Sequence, residues 1–386
     1  MPLTGTTVLQ VIPHLSAGGA ERTTIEVAEA LRAAGAIPLV ASTGGRLEGE
    51  LTRVGGELIQ IDSLASKNPL TIHSNAGILA RIISKRGVDL VHARSRAPAW
   101  SAYWAAKRKK KPFVTTYHGV YNARSSLKRW YNSIMARGDV VIANSDYTAA
   151  HVRQQHPDTS DRIVTVHRGV DTRRFSSENM LPTRLAALSD EWRLPDPRPA
   201  VILLPARMTG WKGHREAIVA AALLKDRLSQ PWRMIFAGDA QGRSGYLDEL
   251  TQLIRQHGVD DRVSMVGHCD DMPAALALAD IIIAPSNEPE AFGRVAAEAG
   301  AMGRPVIGSN IGGQAEVIVP GETGLLIPPG DAPALADAMT NLLERGAAAR
   351  AAMGEAASMR IRTMFTTAAL QKATLAVYER LIGRPS

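Results

Sequence analysis

Cysteine is nearly absent: the 386 residues contain a single one, Cys269. No disulfide framework can form within the chain, which fits a reducing compartment such as the cytoplasm. Cys269 itself reads as a small residue at the end of a strand. Long apolar runs are missing too. No stretch approaches the ~18 consecutive apolar residues of a membrane span. Met1 to Thr7 has no basic head leading into a long apolar run, so no signal peptide is expected. A G-x-G-x-x-G segment is absent, which argues against a nicotinamide-dependent oxidoreductase. A D-x-D pair is absent as well. Disorder is excluded, because 45% of residues are hydrophobic and only 21% are charged. The length suggests two domains rather than one.

Charge is present but unevenly placed. Residues 1–180 hold 24 Lys and Arg against 14 Asp and Glu, a net of +10. Residues 181–386 hold 21 against 23, so the whole excess of +8 sits in the first half. Such asymmetry points to an anionic partner for that half. The basic run Lys107–Lys111 and the segment Leu127-Lys-Arg-Trp-Tyr131 combine cations with aromatic rings, a mixture suited to an anionic lipid interface. A solvated lysine-rich turn beside an ordinary helix explains them equally simply. Nucleic acid is not expected as a partner, since no helix-turn-helix or aromatic-rich pattern accompanies the charge.

Short β-rich runs alternate with helical stretches throughout. Strands are expected at Thr7–Ile12, Pro38–Ala41, Leu58–Ile61, Leu90–Ala93, Pro112–Tyr117, Val140–Asn144 and Ile163–His167. The rhythm breaks at Ser176–Pro199, which holds four prolines, and restarts with Ala200–Pro205, Arg233–Ala237, Val263–Val266, Ile281–Ala284, Pro305–Ser309 and Gly324–Ile327. The tail carries two helical stretches, Pro333–Arg345 and Thr366–Ile382. Alternation of this kind means parallel sheets covered on both faces. The expected organisation is α/β, with two doubly wound domains: 1–180, a linker 181–199, and 200–365. A last helix, 366–386, packs back toward the first domain. Ligands of such sheets bind outside the carboxyl ends of the strands, in a cleft between the domains.

Four segments place unusual residues there. Ala17-Gly18-Gly19 follows the first strand and opens a helix, where glycine lets a phosphate approach free N–H groups or simply makes a turn. His118 ends the strand Pro112–Tyr117, placed for catalysis or for packing. Arg207 and Lys212 follow Ala200–Pro205; two cations there suit a diphosphate, and Trp211 between them is unusual for a solvated loop. Asn287-Glu-Pro-Glu-Ala-Phe-Gly-Arg-Val-Ala-Ala-Glu298 carries Glu290 before a helix and Glu298 within it, with Phe292 and Gly293 at the helix entrance. A carboxylate at Glu298, flanked by alanines, is costly without a partner, and ligand hydroxyls are a natural one.

These segments, in this order, resemble the family-4 (group 1) retaining glycosyltransferases of GT-B architecture, with two Rossmann-like domains. The E-x7-E spacing of Glu290 and Glu298 is the most specific part. Gly169-Val170-Asp171, Phe236-Ala-Gly-Asp239, Gly312-Gly-Gln-Ala-Glu316 and Gly321-Glu-Thr-Gly324 support it. The resemblance implies a nucleotide-sugar donor, no cofactor and no metal. Gly18 and Gly19 would face the diphosphate and acceptor. His118 would contact the transferred sugar. Arg207 and Lys212 would neutralise the leaving diphosphate, in place of a divalent ion. Glu290 would hold sugar hydroxyls with backbone N–H groups around Phe292 and Gly293, and Glu298 would grip the ribose. The first glutamate is taken as Glu290, not Glu288, because only Glu290 precedes Ala-Phe-Gly. Many members carry Pro-Asn before Gly-Val-Asp, where this chain has His167-Arg168. The region around Trp130–Ser145 is similar to the bacterial lipopolysaccharide-core branch. This implies a hexosyltransferase with a lipid-linked or phosphorylated glycan acceptor, cytoplasmic and peripheral on the inner membrane. The alternatives are a soluble acceptor and a non-catalytic sugar-nucleotide-binding protein.

Overall fold

The structure is a computed structural model and describes residues 3–16, 18–121 and 125–383. Ala17 of the glycine segment, Met1 and Pro2, and the end of the expected 366–386 helix lie outside the described residues. The chain divides into two compact units: residues 1–169 with 367–386, and residues 170–366.

The first unit is built on seven parallel strands: β1 (Thr7–Val11), β2 (Ile37–Ser42), β3 (Glu57–Gln60), β4 (Leu90–Ala93), β5 (Phe113–Tyr117), β6 (Val140–Ala143) and β7 (Ile163–Thr165). Their order is β3-β2-β1-β4-β5-β6-β7, so the winding reverses between β1 and β4. The middle strands β1, β4, β5 and β6 are buried along their whole length. That is why they read as continuous apolar runs and not as alternating ones. Polar residues inside the sheet are tied down. Gln10 donates to the Thr24 carbonyl at 3.0 Å, and Asp89 accepts from the Thr7 amide at 2.9 Å. The terminal helix Thr367–Ile382 belongs to this unit. Its Leu370, Val377 and Leu381 join Val8, Leu31 and Leu90 in one apolar cluster. Tyr378 is fully buried, and its hydroxyl meets His92 Nδ1 at 2.6 Å.

The second unit repeats the plan with six parallel strands: β8 (Ala200–Pro205), β9 (Trp232–Ala237), β10 (Val263–Gly267), β11 (Ile281–Ala284), β12 (Val306–Ser309) and β13 (Gly324–Ile327). The order β10-β9-β8-β11-β12-β13 reverses between β8 and β11. Cys269 follows β10 and packs against the core, where burial pushes its thiol up to about 11, the range of an inert residue.

Two segments differ from the sequence-based expectation. The stretch 181–199 is not a bare linker, and the division falls at 169/170 instead of 180. Pro182 opens a helix, Pro182–Glu191, as proline does at a first helical position. Leu188 and Trp192 are buried in the second unit's core beside Val170 and Phe175. The tail holds a further helix, Gly346–Met364, between the two expected ones. Its buried face is Met353, Gly354, Ala357 and Ile361. Glycine and alanine carry little apolar signal, so the face is invisible to periodicity.

Gly354 sits where two backbones nearly touch: a Cβ there would lie 1.9 Å from the Gly303 carbonyl oxygen. On an open helix Gly→Ala stabilises by up to ~1 kcal/mol. At Gly354 the collision reverses the sign, and Gly354→Ala is expected to cost about 2 kcal/mol. Urea unfolding checks this; a more stable variant would contradict the close packing.

Candidate functional site

In the second unit the candidate residues gather at the switch point, where β8 and β11 lie side by side. Lys212 follows β8 and Glu290 follows β11. Their side chains meet, Nζ to Oε1, at 2.8 Å, each only 11% exposed. Ser286, 1% exposed, donates to the same carboxylate oxygen at 2.6 Å. Oε1 thus receives two donors. Glu288 is exposed, which separates it from Glu290. The two loops are also stitched through their backbones. The Asn287 amide donates to the Trp211 carbonyl at 2.8 Å, and Asn287 Nδ2 donates to Glu216 at 2.8 Å. Lys212 Nζ lies 4.2 Å from the centre of the Trp211 ring, which accounts for an aromatic residue on this loop.

Arg207 does not join this cluster. It is exposed and forms no ion pair among the described residues, so the two cations are set apart in environment. Gly293 caps the helix Arg294–Ala301 with a φ of 87°, and a Cβ there would lie 2.3 Å from Gln314 Cβ. Phe292 is 3% exposed and makes a T-shaped contact with Phe365 at 5.7 Å. Its ring is core, and only its backbone faces the helix entrance. Glu298, 13% exposed at its side chain, pairs with Arg294 one turn earlier. The partner that its alanine-rich surroundings call for is thus present within the chain. Arg294 neutralises it across an i,i+4 spacing.

In the first unit, Gly18 and Gly19 open the helix Gly19–Ala33 after β1. The Arg168 guanidinium lies over Gly19: a Cβ there would sit 2.0 Å from Nη1, and Nη2 donates to the Gly19 carbonyl. A side chain at 19 would have to displace the tip of the Arg168 side chain. His118 follows β5. Its Nε2 is shielded from solvent and without a hydrogen-bond partner among the described residues. Burial holds its proton affinity well below the usual histidine range, and the cations Arg94 and Arg168 lower it further. A neutral imidazole follows at pH 7. Arg94, 2% exposed, anchors to the Thr23 carbonyl at 2.7 Å.

Sequence reasoning missed Ser286, Asn287, Arg94 and the position of Arg168. The signal available for the first two was their place directly after β11. For Arg94 it was its place directly after β4.

Residues 17–174 match the family Glycosyltransferase Family 4, and residues 190–360 match Glycosyl transferases group 1. A D-inositol 3-phosphate glycosyltransferase of Xylanimonas cellulosilytica is 32% identical over 297 residues, 70% of this chain and 68% of that protein. The chain belongs to the group 1, family 4 glycosyltransferases. A glycosyltransferase structure from Rickettsia africae ESF-5 superposes with a TM-score of 0.90 at 36% identity, covering 99% of this chain and 100% of that one. HepE of Anabaena in complex with UDP gives 0.82 at 22% identity, covering 98% and 100%. The fold of this glycosyltransferase is GT-B, with two Rossmann-like units. No helix among the described residues is long and apolar enough to cross a membrane.

Two predictions follow from the geometry. Lys212→Ala leaves a largely buried carboxylate without its cation, a loss worth about 3 kcal/mol. Glu290→Gln in that background should recover much of it, giving a coupling of about 2 kcal/mol in a double-mutant cycle. Additive losses would mean that the pair contributes nothing. The second concerns His214, fully buried at the start of the helix His214–Arg227, against Phe236. Burial depresses its pKa to about 4. The unfolded chain therefore takes up the proton first as pH falls. Stability is complete above about 6.5 and declines toward about 4, by on the order of 3 kcal/mol. His214→Gln should flatten that acid limb in pH-dependent denaturation; an unchanged slope would assign it to other groups.

Proposed function

We propose that this glycosyltransferase moves a hexose from a nucleotide-diphosphate sugar to a glycolipid acceptor, with retention of anomeric configuration and without a metal ion. The Lys212–Glu290–Ser286 cluster carries this reading. It puts a cation for a leaving diphosphate in contact with a carboxylate, an acceptor for sugar hydroxyls. Arg207, exposed on the same loop, adds a second cation at the diphosphate. Backbone N–H groups at Gly293 add the helix end. Glu298 holds the ribose while Arg294 pairs with its carboxylate and orients it. His118, neutral, hydrogen-bonds the transferred sugar. Gly18 and Gly19 bound the site on the acceptor side. Charge developing on the departing diphosphate is met by lysine, arginine and the helix end, the role a divalent ion fills elsewhere.

The lipid-linked acceptor, with a place in lipopolysaccharide or envelope polysaccharide assembly on the cytoplasmic face of the inner membrane, rests on the basic first unit and its surface. Leu127 is 75% exposed and Trp130 52% exposed, beside the exposed cations Lys128 and Arg129. Trp130 stacks on Trp100 at 4.6 Å, which holds its ring in place. The Lys107–Lys111 run fits a membrane patch less well. Lys107 and Lys111 are engaged with Asp139 and Asp89, at 3.3 and 3.6 Å. These pairings favour the second reading, a soluble acceptor. The inositol phosphate named for the Xylanimonas relative is an example of that class.

Calorimetry with nucleoside diphosphates and their sugars tests the donor half. Glu298→Ala is expected to weaken donor binding by about 3 kcal/mol while the fold persists. Turnover should survive a chelator. Donor affinity unchanged in the folded variant rules out the ribose role, and activity that requires added magnesium or manganese rules out the metal-free mechanism.

A further inference from the structure

The first unit holds a recess, distinct in its residues from the catalytic candidates, with a volume of about 80 Å³. It lies where β5 ends and beside the helix Asp146–Gln155 that follows β6. Tyr117, Tyr121, Arg129, Asn132, His151 and His156 line it. Tyr117 is 2% exposed and Asn132 4% exposed. Each keeps a shielded polar atom, the Tyr117 hydroxyl and Asn132 Nδ2, with no hydrogen-bond partner among the described residues. One such group costs about 1–3 kcal/mol. Two lining one recess call for an explanation other than packing.

The other half of the Asn132 amide is committed. Oδ1 accepts from Arg96 at 2.8 Å, so the amide is fixed with Nδ2 as its spare donor. Arg96 also lies over the Tyr121 ring at 4.0 Å. The wall therefore carries one cation, Arg129, with a second, Arg96, directly behind two lining residues. No carboxylate is among the lining residues described. Donors and cations without a competing acid select an oxyanion, through charge-assisted hydrogen bonds. The volume is far below the 300–1,000 Å³ or so of a site for a whole ligand, and suits one compact group.

We infer that this recess is an anion subsite that takes the phosphate group of a phosphorylated acceptor. This rests on the reading of the first unit as the acceptor side. Tyr117 and His118 are consecutive at the end of β5, so the recess and the position assigned to the transferred sugar share the carboxyl edge of this sheet. Tyr117, Asn132 and Arg129 would supply hydrogen bonds to its oxygens, and His151 and His156 would close the rim.

The test uses the full chain with UDP present, and calorimetric titration with inorganic phosphate, glucose 6-phosphate and glucose. Both phosphates should bind and glucose should not. Tyr117→Phe and Arg129→Gln should each weaken phosphate binding about tenfold. Tyr117→Phe removes an unpartnered hydroxyl, so its melting temperature should stay the same or rise, which separates a ligand role from a structural one. Absence of phosphate binding, or equal binding by both variants and the parent, overturns the inference. Phosphatidylglycerol vesicles that displace glucose 6-phosphate assign the phosphate to a lipid headgroup; vesicles that do not displace it assign a soluble phosphate ester. Donor affinity on the same preparations is a separate readout. Intact UDP-sugar binding with no phosphate binding sinks this subsite alone, whereas lost donor binding sinks the transferase reading.

Discussion

The second unit's site depends on one contact, the ion pair between Lys212 and Glu290, 78 residues apart in sequence and 2.8 Å apart in space. Strand order makes it. β8 and β11 are neighbours because the sheet reverses its winding between them, and the loops leaving their carboxyl ends are therefore forced together. With both side chains 11% exposed, each charge is uncompensated without the other. Ser286 fixes the carboxylate from the floor of the site, and Asn287 ties the same loop to the helix that Lys212 precedes.

The first unit solves the same topological problem differently. Its reversal lies between β1 and β4, and there Arg168 lies over Gly19 while Arg94 holds the Thr23 carbonyl. Burial keeps His118 neutral, and the positive charge of Arg94 and Arg168 adds to that effect. One unit thus presents a compensated cation–carboxylate pair, the other a cationic and neutral-imidazole environment. That division matches the sequence-wide charge asymmetry, +10 in the first half.

Much of the fold was legible. The thirteen strands among the described residues lie within a residue or two of the runs read from β-rich composition, because buried parallel strands are continuously apolar. The helices Gly346–Met364 and Pro182–Glu191 were not legible. The first buries glycine and alanine, and the second begins with a proline that looked like a break. At the site, Lys212, Glu290, Glu298 and His118 stood out as chemically unusual residues after strands. Their partners did not. Ser286 is an ordinary serine until β11 places it beneath Glu290, and Arg294 is an ordinary surface arginine until its helix turns it onto Glu298.

The sequence by itself determined the class of the protein: two parallel α/β sheets, the glycine turns, and the E-x7-E spacing of Glu290 and Glu298. These are local properties, since strand periodicity and helix entry are written within a few residues. Only the tertiary structure decided which charges are free and which are spent. Lys212 is paired and Arg207 is exposed, although both read as diphosphate cations. The Phe292 ring belongs to the core, which leaves its backbone as the part expected at the donor site. Lys107 and Lys111 are engaged by aspartates from other loops, although they read as a membrane patch. The reason is common to all three. Burial and ion pairing are set by residues distant in sequence, and their cost or gain exists only once the sheets have brought those residues within a few ångströms.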